Sequence, residues 1–113
     1  MVQIYGIKNC DSVKKAIKFF KEHNVAFMLH DFKTEPVSCQ KIETWLKSTD
    51  MKILFNARST TYRTLKLKEK NLSVTAQTEW LCKENLLIKR PVVEFDNQLI
   101  VGFKEDIYKG TFL

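Results

Sequence analysis

The sequence predicts a mixed α/β (α+β) fold whose two sheet-forming ends enclose a wholly helical middle. Three observations carry this. Residues 3–32 run strand, helix, strand, with apolar spacing that changes from strand-like to helical and back. Residues 91–103 hold two apolar runs around Asp96-Asn97, a turn dipeptide. The stretch between them shows helical spacing and helix caps but no strand signal.

In order along the chain, "QIYGI" is a short buried strand and Asp11 to His23 a helix. Val13, Ala16, Ile17 and Phe20 form its apolar face at i, i+3, i+4 and i+7. "AFMLHDF" is a second, alternating strand, and a parallel crossover of this kind is almost always right-handed. "KTEPVS" breaks the pattern at Pro36 and offers Ser38 as an N-cap. Cys39, Ile42, Trp45 and Leu46 then form the stripe of a helix. "DMKILFNA" and "STTYRTLKLKEK" predict short helices around a polar turn. Thr75 is the expected cap of a further helix that carries Ala76, Trp80 and Leu81 inward. "PVVEFD" and "QLIVGF" make a hairpin, and "KEDIYKGTFL" a final short helix and tail. Trp45, Tyr62 and Trp80 are expected in the core or along a groove, and His23 and His30 at the surface. A β-α-β unit followed by β-β-α is the element order of a thioredoxin-like core. Here an all-helical insertion, about residues 35–88, lies within a single domain spanning 1–113.

Composition narrows the function. Apolar residues make up 44% of the 113 and charged residues 28%, values of a globular chain rather than a disordered one. No apolar run approaches the roughly 18–20 residues that span a bilayer, so no membrane role is expected. "MVQIYG" enters a strand pattern at once, with no signal peptide, so the cytoplasm is the expected location and its thiols are expected reduced. The net charge of +6 is spread along the chain rather than gathered in one block, which argues against nucleic acid. Cys10, Cys39 and Cys82 are widely spaced, and neither C-x-x-C nor H-x-x-x-H occurs, so no metal site is expected.

Cys10 stands at the joint between the first strand and the first helix. Unpaired backbone N–H groups and the helix dipole favour an anion there, and the thiolate is the nucleophilic form of cysteine. Lys8 favours that anion, whereas Asp11 opposes it. The alternative is an inert cysteine packing a strand end. A phosphatase C-x-x-x-x-x-R cradle is excluded, because the sixth residue after Cys10 is Ala16. A dithiol mechanism is excluded because Val13 stands where the second cysteine belongs. A monothiol mechanism survives, in which a mixed disulfide on Cys10 is resolved by an outside thiol or a distant cysteine. Cys39 and Cys82 are expected to be small buried hydrophobes, with no internal disulfide to Cys10.

"IYGIKNCDSVKKA", "LFNARSTTYR", "IKRPVVEF" and "LIVGFKED" resemble the arsenate-reductase-like ArsC/Spx family, nearest its YffB-type branch. The resemblance implies a thioredoxin-like core with a helical insertion, and Cys10 as the catalytic cysteine. It implies Arg58 and Arg90 as anion-binding residues and Pro91 as a cis-proline, with Lys8 and Asn9 completing the candidate substrate site. A third arginine of arsenate reductases falls at or beside Gly102, which argues against arsenate reduction. The function implied is a monothiol, glutathione-dependent thiol/disulfide reductase. It would have no permanently bound cofactor, with glutathione as co-substrate or a glutaredoxin-like partner. The alternatives are an Spx-like transcriptional regulator that binds the RNA polymerase α subunit, and an arsenate reductase.

Overall fold

The chain opens on strand β1, Val2–Gly6, which becomes the second strand of a four-stranded sheet. The computed structural model describes residues 1–113, which divide into two compact units. The sheet unit is Met1–Glu35 with Arg90–Leu113, and the helical unit is Pro36–Lys89.

In the sheet unit, helix α1 (Asp11–Glu22) follows β1 and buries Val13, Ala16, Phe19 and Phe20. It ends where Asn24 takes the left-handed conformation, with φ 56°. There the Val25 N–H donates to the Phe20 carbonyl at 2.9 Å and the Asn24 N–H to that of Lys21 at 3.3 Å. These bonds satisfy carbonyls that a helix end leaves open and turn the chain into strand β2, Phe27–Asp31. Strand β3 (Val92–Phe95) and strand β4 (Gln98–Val101) form the expected hairpin. Asp96 and Asn97, at φ 51° and 63°, supply the two positive-φ residues of a tight primed turn. The strand order is β2-β1-β3-β4, with β1 and β2 parallel and the other pairs antiparallel.

Alternation sends Val2, Ile4, Val93 and Ile100 to one face of the sheet. There they pack with Ala16, Phe19 and Phe20 and with Tyr108 of the final helix α6, Glu105–Phe112. Tyr108 stacks on Phe20 at 5.5 Å between centroids, and its hydroxyl donates to the Gly102 carbonyl at 3.0 Å. Burial pushes its phenol above the usual tyrosine range. On the opposite face, Tyr5 stacks on His30 at 4.6 Å and donates to Glu94 Oε1 at 3.1 Å. His30 also pairs with Gln3 and lies 3.6 Å from a Glu35 oxygen. His30 is thus half-buried on the sheet rather than at the open surface, whereas His23 is exposed, as expected.

In the helical unit, α2 is Cys39–Leu46, α3 Met51–Leu54, α4 Thr60–Thr64 and α5 Val74–Lys83. Short 3₁₀ turns lie at Leu67–Lys70 and Asn85–Leu87. Three helices start on serine: Ser38, Ser59 and Ser73 each accept a first-turn N–H, from Lys41, Tyr62 and Ala76. Ser38 caps as expected, whereas Ser73 takes the place assigned to Thr75. Ile42, Trp45, Leu54, Leu67, Leu81, Leu87 and Ile88 are buried. Among them sits Asn85, whose amide accepts from the Val37 N–H and donates to the Leu81 carbonyl. Both functions of the buried amide are thus satisfied.

Cys39 and Cys82 depart from expectation. They form a disulfide, with Cα atoms 4.9 Å apart. Cys39 is exposed and Cys82 half-buried, so neither is a reduced core residue. Cys39 is the first residue of α2, and its side chain leaves the apolar stripe to meet the end of α5.

Candidate active site

The loop between β1 and α1 carries the candidate nucleophile. Ile7 is buried, Lys8 and Asn9 are exposed, and Cys10 is half-buried. Cys10 is the N-cap of α1, with extended backbone at φ −142° and ψ 123°. Its carbonyl accepts from the Lys14 N–H at 2.9 Å, which closes the first turn. Its sulfur makes no cap hydrogen bond, and Cys10 is the free cysteine of the chain. Ser, Thr, Asp or Asn is preferred at an N-cap because a side-chain oxygen accepts a first-turn N–H. A sulfur here forgoes that stabilisation and keeps the thiol available for chemistry at a helix start.

A close approach at Gly6 positions this loop. A Cβ on residue 6 would lie 2.6 Å from Val13 Cγ2 and 3.8 Å from the Arg90 Cβ. The end of β1 thus lets the first turn of α1 and the Arg90 stem come against it. The Phe32 N–H, donating to the Gly6 carbonyl at 2.8 Å, fixes the same point from beyond β2. Val13 is fully buried in this contact, so the position of a second redox cysteine is given over to packing.

The Arg90–Pro91 peptide bond is cis, as the resemblance implied. Arg90 is half-buried with its Nε buried, and Pro91 is buried. The Gly102 N–H donates to the Pro91 carbonyl at 2.7 Å, tying this turn to the end of β4. Cys10, Lys8, Asn9, Arg90 and Pro91 therefore belong to one unit, with Arg90 and the first turn of α1 brought together at Gly6. Arg58 belongs to the helical unit. There it is exposed, and its backbone N–H donates to Asn56 Oδ1 at 3.1 Å in the turn before α4.

Sequence reasoning missed Gly6, and it marked Gly102 only for the arginine that the resemblance places at or beside it. Each is visible as one of only three glycines in the chain, but its role depends on contacts that local pattern does not encode. No group of three or more His, Cys, Asp or Glu residues could hold a metal ion, and no helix is long and apolar enough to cross a membrane.

Comparison with known proteins places this geometry in context. The model of the ArsC family matches residues 5–111. An uncharacterized protein of Haemophilus influenzae is 37% identical over 99% of both chains. The global transcriptional regulator Spx of Lactiplantibacillus plantarum is 29% identical, over 94% of this chain and 82% of that protein. Among solved structures, the YffB protein superposes with a TM-score of 0.92 at 32% identity, over the whole of both chains.

Proposed function

The chain belongs to the ArsC family, and on that premise we propose that it is a monothiol thiol/disulfide reductase that uses Cys10 as nucleophile and glutathione as reductant. The observation that carries this reading is the state of the three cysteines. Cys39 and Cys82 are joined to each other, and Cys10 is a free thiol at a helix start with no cap bond to occupy it. Val13 leaves it without a neighbour to resolve a mixed disulfide from within the motif.

The Cys10 thiolate attacks one sulfur of a substrate disulfide and expels the other as a thiolate. A glutathione thiolate then attacks the mixed disulfide at the substrate-derived sulfur, leaves joined to it and restores the Cys10 thiolate. A second glutathione frees that sulfur as a thiolate and departs as oxidised glutathione. Two electrons pass from the thiols to the substrate bond. Arg90 offers a planar, permanently charged fork for a glutathione carboxylate, with Lys8 and Asn9 on the exposed approach. Arg58 has an anion-binding role by family resemblance. The turn at Pro91 shapes the backbone beside Arg90.

The test is mild oxidation in the presence of glutathione, followed by mass spectrometry and a glutathione-coupled disulfide assay. A glutathione adduct on Cys10, with activity lost in Cys10→Ser, is expected. Full activity in Cys10→Ser would overturn the proposal. The likeness to Spx favours a second reading, a regulator that binds RNA polymerase. Retention of the polymerase α subunit on the immobilised protein, with no disulfide turnover, would select it.

A further inference from the structure

We propose that the Cys39–Cys82 disulfide is a second redox site, opened at Cys39 by small external thiols and independent of Cys10. It joins the first residue of α2 to the last turn of α5, across 43 residues of sequence. Structural disulfides that resist reduction are commonly shielded, whereas exchange needs access to a sulfur. Here Cys39 is an exposed residue, and the flanking Ser38 and Gln40 line an open cleft of about 280 Å³ together with Lys41 and Thr44. The cleft opens beside Cys39 with Lys41 on its wall, and the exposure of Cys39 itself is what admits a small thiol.

The chemistry at the two sulfurs differs. An external thiolate bonds to Cys39 Sγ and breaks the Sγ–Sγ bond, releasing the Cys82 thiolate, which takes a proton from solvent. A second external thiol attacks the mixed disulfide at the external sulfur and leaves as the oxidised dimer. The Cys39 thiolate is then the leaving group. It departs at the first position of an eight-residue helix, where first-turn N–H groups and the helix dipole favour an anion. Two external thiols supply the two electrons, and the protein ends as a dithiol. Reduction removes the covalent tie between the start of α2 and the end of α5 and leaves the two helices held by packing, with Ile42, Trp45 and Leu81 buried.

The experiment uses the full-length Cys10→Ser protein, in which the catalytic thiol cannot contribute, under native conditions. The protein is equilibrated with graded ratios of reduced to oxidised glutathione, quenched with acid, alkylated and mapped by mass spectrometry. Cys39 and Cys82 are expected to become alkylated together as the ratio rises and to lose that labelling when it is reversed. Glutathione trapped part-way is expected on Cys39 at tenfold or more the level on Cys82. Labelling only after denaturant is added, or adducts chiefly on Cys82, would overturn the proposal. Loss of Cys10-dependent turnover in the natural protein would leave this result untouched, so the two proposals fail separately.

Discussion

Replacing Gly6 with alanine tests the contact that positions the Cys10 loop. The new methyl would sit 2.6 Å from Val13 Cγ2, whereas carbon atoms pack at roughly 3.5–4.0 Å, so the overlap is about 1 Å. Val13 cannot swing aside: a valine in a helix has one strongly favoured rotamer, and this one is fully buried. Overpacking of this kind costs about 1–3 kcal/mol. Val13→Ala alone removes two buried methyl groups at about 0.8 kcal/mol each and leaves a small cavity, a loss of about 2 kcal/mol. In the double variant the alanine methyl at residue 6 occupies the space that Val13 vacates. The two losses should therefore fail to add, with a coupling of about 1–2 kcal/mol. Urea unfolding of the four proteins measures it, and the rate of Cys10 alkylation reports whether the loop has moved. Additive losses, or a Gly6→Ala protein as stable as the original, would refute the reasoning.

Three further outcomes are expected. Closing a loop of 43 residues restricts the unfolded chain by about 4 kcal/mol in the chain-entropy model, so Cys39→Ser/Cys82→Ser should lower unfolding stability on that scale; an unchanged urea midpoint would count against it. Tyr108 holds its proton in the fold at pH values where an exposed tyrosine, near 10, releases it. Stability is then fully present below pH 10 and falls as pH rises above it, because the unfolded state binds fewer protons; Tyr108→Phe should flatten this alkaline slope, and parallel pH profiles would argue otherwise. Ser73→Ala should cost about 1 kcal/mol through loss of the cap to Ala76, with Thr75→Ala costing less, as thermal unfolding of the two variants would show.

The strands, the hairpin and α1 were legible because their signals are local. A short apolar run marks β1, Asp96-Asn97 sets the turn, and the Val13 to Phe20 stripe sets the buried side of α1. The position of Cys10 followed from the same patterns, since it needed only the point where strand spacing gives way to helix spacing. The start of α5 was harder, because Ser73 and Thr75 are both cap-forming residues and only the bond to Ala76 decides between them. The disulfide was not legible at all. A stripe identifies which side of a helix is apolar, but not that its first member sits at the helix end and faces another helix end. Arg90 and the cis bond before Pro91 came from resemblance alone, for an arginine before proline has no distinctive local pattern.

Gly102 shows how far the fold itself shapes the site. By resemblance, this position or its neighbour carries the third arginine of arsenate reductases, and the substitution could be taken as the loss of one side chain. The backbone makes it more than that. Gly102 is buried at φ 88°, a conformation that residues with a side chain rarely adopt. Its N–H holds the Pro91 carbonyl and its own carbonyl accepts the Tyr108 hydroxyl, so both of its polar groups are engaged. One residue thereby links the turn beside Arg90 to the aromatic core under α1 and α6. An arginine at 102 would have to strain this backbone or pull it away from both partners. Val13 makes the complementary point on the other side of Gly6, where packing occupies the place of a second thiol. The departure at Gly102 is thus built into the backbone of the scaffold that holds Cys10, and an arginine there would disturb that scaffold before it added new chemistry.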